Sequence, residues 1–315
     1  MANDTAVRVS GLRKRYGDTC AVDGVELEIG RGEVFALLGP NGAGKTTTVE
    51  ILEGFRRRDG GVAEVLGLDP GDRATSRELR ERTGLVLQDI AVEPYLTLRE
   101  TLAREAGYYA RPRDVAEVIA LTGLTGLERR KVRTFSGGQK RRLDLALGLV
   151  GNPELLFLDE PTTGFDPSAR RDAWEIVRGM RAAGITVVLT THYMEEAQAL
   201  ADRVVVMAGG MVVAAGPPSA IGGRDAERAR ITFALTNGYT AADLPLPATA
   251  RDGLDGLVVV EAADPTRALH QLTGWAMQHD TTLAGLTVDR PSLEDVYLRL
   301  THDGALAREP ERTTR

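Results

Sequence analysis

The feature that most constrains the fold is a strand, a glycine-rich loop and a helix in direct succession near the N-terminus. Residues 33–38 predict a strand, and the five residues after Glu33 form an uninterrupted apolar run, typical of a strand buried on both faces of a parallel sheet. The run leads into the pattern Gly39-x-x-x-x-Gly44-Lys45-Thr46, and residues 47–53 then predict a helix that ends at Gly54. This order of elements predicts a phosphate-binding α/β domain built around a mostly parallel sheet.

The loop has the composition that phosphate binding requires. Successive backbone amides and the positive end of the following helix attract phosphate oxygens, and glycine lets the phosphates approach closely. Lys45 would neutralise the outer phosphates, and the Thr46 hydroxyl would ligate Mg²⁺. The alternative, an accidental glycine-rich turn, does not explain the position between a strand and a helix. The predicted nucleotide-binding residues here are Gly39, Pro40, Asn41, Gly42, Ala43, Gly44, Lys45, Thr46 and Thr47.

A second apolar run ends in two acidic residues. Residues 155–158 predict a strand, and Asp159 and Glu160 follow it directly. Asp159 is placed to hold Mg²⁺, generally through water, and Glu160 to orient or deprotonate the water that attacks the γ-phosphate. Taken alone, the pair would be an ordinary strand end in solvent. Beside a phosphate-binding loop, the pair predicts ATP hydrolysis.

Composition and hydropathy limit the other function classes. The chain has 45 acidic and 39 basic side chains, a net charge of -6, which gives no bulk signal for nucleic-acid binding. Cys20 is the only cysteine, which excludes an internal disulfide and favours a reducing compartment. The first residues do not resemble a signal peptide, so a cytosolic location is expected. The uncharged residues 204–223 could span a bilayer, but Gly209-Gly210 between two β-branched runs predicts a hairpin instead.

The remaining chain predicts an insertion and an appendage. Short strands at 85–87 and 185–189 complete the parallel sheet, and an arginine-rich helical subdomain covers about 89–150. After residue 223 the pattern changes to strands at 230–235, 256–260 and 282–288, a helix around 266–277 and an amphipathic helix at 292–300. We therefore expect a nucleotide-binding domain at 1–223, a small α+β domain at 224–302 and a flexible tail at 303–315.

A third motif makes a family recognisable. The run Ser136-Gly137-Gly138-Gln139, at a predicted helix start about 20 residues before the carboxylate pair, resembles the signature motif of ATP-binding cassette (ABC) proteins. Physically it is a second anion site, with a serine hydroxyl and free amides. A serine helix cap with a flexible double glycine is the alternative for the motif alone. The resemblance implies a P-loop NTPase fold with an antiparallel β part and bound ATP and Mg²⁺.

Four further elements of the family follow in order. The resemblance implies that Gln88 reaches Mg²⁺ and water and that Asp166, in the D-loop at 164–166, acts across a dimer. It implies that His192 contacts the γ-phosphate and that Tyr16 stacks on adenine. Each residue alone is a weak signal, but their order is that of the family. Phenylalanine replaces the usual leucine before the signature serine and in the D-loop, and both positions remain apolar.

The resemblance also implies partners. In ABC proteins the P-loop of one cassette and the signature of another enclose each ATP, so a chain with one copy of each is expected to form a homodimer. Motion of such a dimer would drive transport through separate integral-membrane permease subunits. A soluble ABC ATPase acting on ribosomes or DNA is the alternative class. Such proteins usually carry two cassettes or a long coiled-coil insertion, which this sequence lacks, and no basic tract suggests nucleic-acid binding.

Within the transporters, the chain resembles the daunorubicin-resistance type of drug-exporter ATPases. The supporting runs lie at 87–89, 95–102, 191–203 and 291–300. The last run is not needed for ATP chemistry, and it therefore discriminates best among subfamilies. The resemblance implies export of a hydrophobic drug, antibiotic or lipid-like compound, with the chain on the cytoplasmic side of the cell membrane as a peripheral subunit.

Overall fold

The computed structural model describes residues 5–86, 92–221, 228–250 and 257–289. Two compact units divide between Pro218 and Ser219. The boundary predicted after residue 223, the helix predicted at 292–300 and the tail predicted at 303–315 all lie outside the described residues and stay predictions.

The first unit contains nine strands and seven α-helices within the described residues. The strands are β1 (Thr5–Tyr16), β2 (Thr19–Gly30), β3 (Val34–Leu38), β4 (Gly60–Val65), β5 (Thr83–Val86), β6 (Leu155–Asp159), β7 (Thr186–Thr191), β8 (Arg203–Ala208) and β9 (Met211–Gly216). The helices are α1 (Lys45–Leu52), α2 (Ser76–Arg82), α3 (Leu98–Ala106), α4 (Val115–Leu121), α5 (Gly137–Leu149), α6 (Pro167–Ala182) and α7 (Met194–Leu200).

A six-stranded sheet positions the chemistry. Its strand order is β5-β6-β7-β3-β8-β9, and every neighbouring pair except β8 and β9 is parallel. All residues of β3 and β7 are buried, as expected for central strands covered on both faces. In the register, Leu38 lies beside Thr191, and Asp159 lies beside Thr190. The carboxyl ends of β3, β6 and β7 therefore meet at one edge.

The apolar segment that could have spanned a bilayer forms a hairpin. β8 and β9 pair in antiparallel register around Gly209 and Gly210, which both have positive φ. Glycine adopts this conformation without the steric penalty that other residues carry. No helix in the described part of the chain is long and apolar enough to cross a membrane.

The antiparallel β part predicted for this unit is a three-stranded sheet of order β2-β1-β4. Its buried face shares one apolar core with α1 and the parallel sheet, in which Ile29 and Leu52 lie in the same cluster as Phe35 and Phe157. Between β5 and β6 the chain forms α3, α4 and α5, the predicted helical insertion. α3 begins at a capping box formed by Thr97 and Glu100.

The second unit is the predicted α+β fold. Its elements are β10 (Ala229–Ala234), β11 (Thr249–Ala250), β12 (Leu257–Ala262), α8 (Pro265–Gln278) and β13 (Ala284–Asp289). The antiparallel sheet has the order β11-β12-β10-β13. Phe233 and Val258 of the sheet share an apolar core with Leu272 and Trp275 of α8. Both units thus have the architecture expected from the sequence.

Candidate functional site

The glycine loop follows β3 and leads directly into α1. Gly44 has φ of 98°, and a Cβ placed there would lie 2.3 Å from the carbonyl oxygen of Ala21. A Cβ at Gly39 would lie 2.5 Å from the carbonyl oxygen of Met207. The loop therefore requires glycine at both positions. α1 begins at Lys45, two residues before the predicted start, because the left-handed Gly44 turns the chain straight into the helix.

Lys45 is folded onto the loop that precedes it. Its Nζ donates to the carbonyl oxygens of Gly39 at 2.7 Å and Pro40 at 3.1 Å, and the residue is buried. Burial lowers the pKa of Lys45, while the negative charges of Glu160 and Asp159 act in the opposite direction. β3 and β6 end at the same edge of the sheet, and this brings the two carboxylates near the lysine. The lysine is thus held at the point where an anion entering the loop would meet it.

A cleft of about 460 Å³ opens over the loop. It brings together three predicted parts of the site: the aromatic Tyr16, the loop and the acidic Glu160. Its lining residues are Tyr16, Thr19, Cys20, Ala21, Asn41, Gly42, Ala43, Gly44, Lys45, Thr46, Thr47, Glu160 and Gly209. The cleft thus offers an aromatic ring, a set of loop amides and a carboxylate to one ligand.

Tyr16 lies at the end of β1, and its side chain is partly exposed. The guanidinium carbon of Arg56 lies 5.1 Å from the ring centroid, and Lys14 Nζ lies 5.6 Å from it. Arg56 Nε in turn donates to Glu50 Oε2 at 2.5 Å, and Glu50 belongs to α1. The ring is therefore tied through Arg56 to the helix that follows the phosphate-binding loop, which fixes an aromatic surface near that loop.

The two carboxylates are held by the neighbouring strand. Thr190 Oγ1 donates to Asp159 Oδ1, and the Glu160 amide donates to Thr190. Glu160 has φ of 45°, which is uncommon for a residue other than glycine. β6 therefore ends at Asp159, and the chain turns sharply so that the two carboxylates leave the strand in different directions. Sequence reasoning missed Thr190, although its position at the end of a predicted strand was a usable signal.

Glu160 is paired with the predicted histidine. His192 Nδ1 lies 3.2 Å from Glu160 Oε1, and Thr163 Oγ1 donates to Glu160 Oε2 at 3.1 Å. His192 follows β7, and Glu160 follows the adjacent strand β6, so sheet topology rather than sequence proximity creates the pair. Both oxygens of the glutamate are thus oriented. Such a carboxylate can accept a proton from water while the imidazole faces a neighbouring phosphate.

A third carboxyl group, that of Glu53, lies where the charge of Asp159 acts on it. Glu53 follows α1, and burial raises its pKa to about 8, with further contributions from the charges of Asp159 and Glu50. At neutral pH Glu53 is therefore mostly protonated, and Asp159 and Glu160 are the carboxylates whose charges act on Lys45. A divalent cation would balance them, and the carboxylate and hydroxyl oxygens present suit Mg²⁺. Thr46 and Gln88 are also predicted to bind Mg²⁺. Thr46 is exposed, and Gln88 lies outside the described residues.

The signature segment begins α5. Ser136 and Gln139 form a capping box, in which the Gln139 amide donates to Ser136 Oγ at 3.3 Å and the Ser136 amide donates to Gln139 Oε1 at 3.1 Å. The alternative of a simple serine cap thus describes part of the geometry. However, a Cβ added at Gly137 or Gly138 would meet no described atom within 4 Å. The described neighbours therefore do not require glycine at either position.

A second cleft, of about 490 Å³, lies beside this segment. Its lining includes Gly137 and Gly138, the D-loop residues Gly164 and Asp166, and Glu160. Asp166 caps α6 by accepting from the amides of the next turn. Glu160 thus borders both clefts. Some of the predicted residues that the structure describes line neither of them, namely Gly39, Pro40, Ser136, Gln139, Asp159 and His192.

The matches with known proteins decide the family. The family model described as ABC transporter matches residues 22–163, and one for the C-terminal domain of ABC transporter domain-containing proteins matches residues 229–292. The chain is 41% identical to the daunorubicin resistance ATP-binding protein DrrA2 of Streptomyces coeruleorubidus, over 94% of this chain and 95% of that relative. The chain belongs to the ABC transporter ATP-binding proteins. This assignment confirms the family predicted from the loop and signature motifs.

Two further matches agree with this family. The ABC protein is 40% identical to the Nod factor export ATP-binding protein I of Rhizobium sp. (strain N33), over 94% of this chain and 97% of that relative. The structure of cbiO1 from Clostridium perfringens, part of the ABC transporter complex cbiONQ, matches with a TM-score of 0.64 and 31% identity. That match covers 69% of this chain and 90% of cbiO1. The protein is therefore an ATP-hydrolysing subunit of an ABC transporter, as predicted.

The only cysteine gives a direct test of the ATP cleft. Because Cys20 lines the cleft, bound nucleotide should block a reagent from reaching its thiol. At a nucleotide concentration ten times its Kd, maleimide labelling of Cys20 should slow by about tenfold, since only the free fraction reacts. Mass spectrometry of timed samples measures the rate, and urea-unfolded protein with the same nucleotide is the control. Equal labelling rates with and without MgATP would contradict this location of the nucleotide.

Proposed function

We propose that two copies of this ABC subunit hydrolyse ATP at their shared interface and thereby drive export through a separate membrane permease. The observation that carries the catalytic part is the Glu160–His192 pair at 3.2 Å beside the P-loop cleft. The chain is 41% identical to an ATP-binding protein of drug resistance and 40% identical to one of Nod factor export, each over 94% of its length. This similarity supports export as the direction of transport.

The residues around the P-loop cleft would divide the work of ATP hydrolysis. Tyr16 would stack on adenine, while the amides of the loop and Lys45 would hold the phosphates. Thr46, Asp159 and Gln88 would hold Mg²⁺, which stabilises the charge on the phosphates. Glu160 would take a proton from the attacking water, and His192 would orient Glu160 and donate to the γ-phosphate.

The arrangement of residues in two clefts supports the proposed dimer. The signature glycines lie in open space, and the described lining of the P-loop cleft contains no signature residue. A second copy in a two-fold arrangement would bring its Ser136, Gly137, Gly138 and Gln139 to the ATP in the first copy, and the reverse. Asp166 would lie between the two ATP sites. Closure of the dimer would then shield Glu160, which borders both clefts, from bulk solvent.

The partner proposed is an integral-membrane permease, and the chain would lie at the cytoplasmic side of the membrane. The substrate proposed is a hydrophobic drug, an antibiotic or a lipid-like compound. The substrate would contact the permease rather than this subunit, so the chemistry of the ATP site does not restrict it further.

Affinity purification from native membranes tests the partner. The tagged Glu160→Gln chain, solubilised in mild detergent with MgATP, should recover a polytopic membrane protein in near-equal amount. The matched control is Lys45→Ala, which should lose nucleotide-stimulated recovery. Recovery of ribosomes or DNA without a membrane protein would overturn the transport proposal and favour the soluble class of ABC ATPase.

A further inference from the structure

Tyr193, directly after the histidine of the site, is covered by an arginine from another helix. The guanidinium carbon of Arg170 lies 4.4 Å from the Tyr193 ring centroid, and the rings of Tyr193 and His192 are 4.1 Å apart. Cations placed over an aromatic face at this distance are attracted by its electron density. A continuous contact therefore runs from Arg170 through Tyr193 to His192, which faces Glu160.

The Arg170 charge acts on acidic residues of α7 as well as on the Tyr193 ring. The Nε of Arg170 is buried and has no hydrogen-bond partner among the described residues. Its Nη1 lies 3.6 Å from Glu195 Oε2, and the Glu195 side chain is exposed, so this ion pair is weak. An apolar side chain would cover the Tyr193 ring without burying an unpaired N–H group. The charge of Arg170 also acts on a buried carboxyl, since burial raises the pKa of Glu196 and the Arg170 charge opposes this effect.

Arg170 belongs to the first turn of α6, immediately after the D-loop. Its backbone amide donates to the carbonyl oxygen of Asp166 at 3.0 Å. Asp166 caps the same turn, and its neighbours line the cleft beside the signature. A displacement of the D-loop would therefore move the Arg170 side chain together with the end of α6.

The body of α7 is held by hydrogen bonds that do not involve the arginine. Glu196 is fully buried, and its Oε1 accepts from Thr162 Oγ1 at 2.8 Å and Trp174 Nε1 at 3.4 Å. These contacts hold the body of α7 against α6 and the turn after Glu160. The segment before α7 is held by the Tyr193 amide, which donates to Thr191 Oγ1 at 2.9 Å, and by the contact of the Tyr193 ring with Arg170.

We propose that Arg170 is a positioning residue, which sets the orientation of His192 through the Tyr193 ring and connects the D-loop to ATP hydrolysis. The proposal rests on the function proposed for His192. Arg170 touches neither ATP nor water in this scheme. Its removal should therefore leave nucleotide binding intact and reduce the fraction of molecules in which His192 is correctly placed.

Steady-state ATPase measurements on the 315-residue chain test this. Arg170→Met should lower kcat by about tenfold with KM for ATP within about twofold of the unsubstituted chain, since one cation–aromatic contact is lost. Arg170→Lys keeps a cation and should recover part of the loss. Tyr193→Leu should resemble Arg170→Met, whereas Tyr193→Phe retains the ring and should not. The matched control is Arg171→Met, because Arg171 is the exposed neighbour on α6.

A double-mutant cycle separates positioning from general damage to the fold. In a His192→Ala background, Arg170→Met should have no further effect on kcat, because the residue it positions is absent. An equal fractional loss in both backgrounds would overturn the proposal. An unchanged kcat for the single variant Arg170→Met would also overturn it, provided that His192→Ala alone lowers kcat. An unchanged kcat for His192→Ala would instead overturn the function proposed for the histidine, and the Arg170 proposal with it.

Discussion

Replacing Lys45 by alanine should reduce kcat/KM for ATP by at least about hundredfold. The lysine is the buried cation of the loop, and the carboxylates of Asp159 and Glu160 act on it. Without it, the loop keeps its amides but loses the charge that offsets the outer phosphates and the nearby carboxylates. A phosphate-release assay on the 315-residue chain measures the loss.

The chain has four lysines, and another of them serves as the control for this prediction. Lys131 is exposed and lies away from the described lining of the P-loop cleft, so Lys131→Ala should keep its activity within about twofold. The alanine variant at position 45 should also lose nucleotide protection of Cys20. Full ATPase activity of Lys45→Ala would remove the lysine from the mechanism.

Replacing Glu160 by glutamine should give the opposite combination, strong binding with little hydrolysis. Glutamine has nearly the same shape and can remain beside His192 and Thr163, but it cannot take a proton from water. We expect kcat to fall by about a hundredfold or more. ATP should remain bound, and the proposed dimer should accumulate in its closed form, because the step that opens it is blocked.

Light scattering coupled to gel filtration measures this accumulation. The Glu160→Gln chain should shift from the mass of one chain to that of two when MgATP is added. Glu175→Gln is the matched control, because Glu175 is an exposed residue of α6 that pairs with Arg178. A Glu160→Gln chain that stays monomeric with ATP and hydrolyses it rapidly would contradict both the proton acceptor and the dimer.

The parts of the site that sequence predicts are those whose geometry is local. The loop from Gly39 to Thr47 needs only a strand before it and a helix after it, and both are visible as apolar patterns. The hairpin around Gly209 and Gly210 is predictable for the same reason. The pairing of Glu160 with His192 is less local, since it needs the order of β6 and β7 in the sheet, and the sequence predicts the two residues but not their contact.

The parts that sequence did not predict depend on packing between distant elements. Glu53 follows an apolar helical run and has the pattern of a solvated helix end, yet its pKa is raised because the chain buries it near Asp159. Arg170 is one of many arginines, and its contact with Tyr193 exists only because α6 and α7 pack together. No periodicity or spacing specifies such a pair in a single sequence.

Because the space around Gly137 and Gly138 is open, a substitution there can impair function without lowering the stability of the chain. Alanine at either position would meet no described neighbour, and alanine favours the helical conformation over glycine by up to about 1 kcal/mol. Such a variant should accumulate in cells as well as the parent chain and resist heat at least as well. It would nevertheless obstruct the proposed approach of ATP from the partner. A survey of protein abundance would therefore count these glycines as dispensable, and only growth that depends on transport would show their cost.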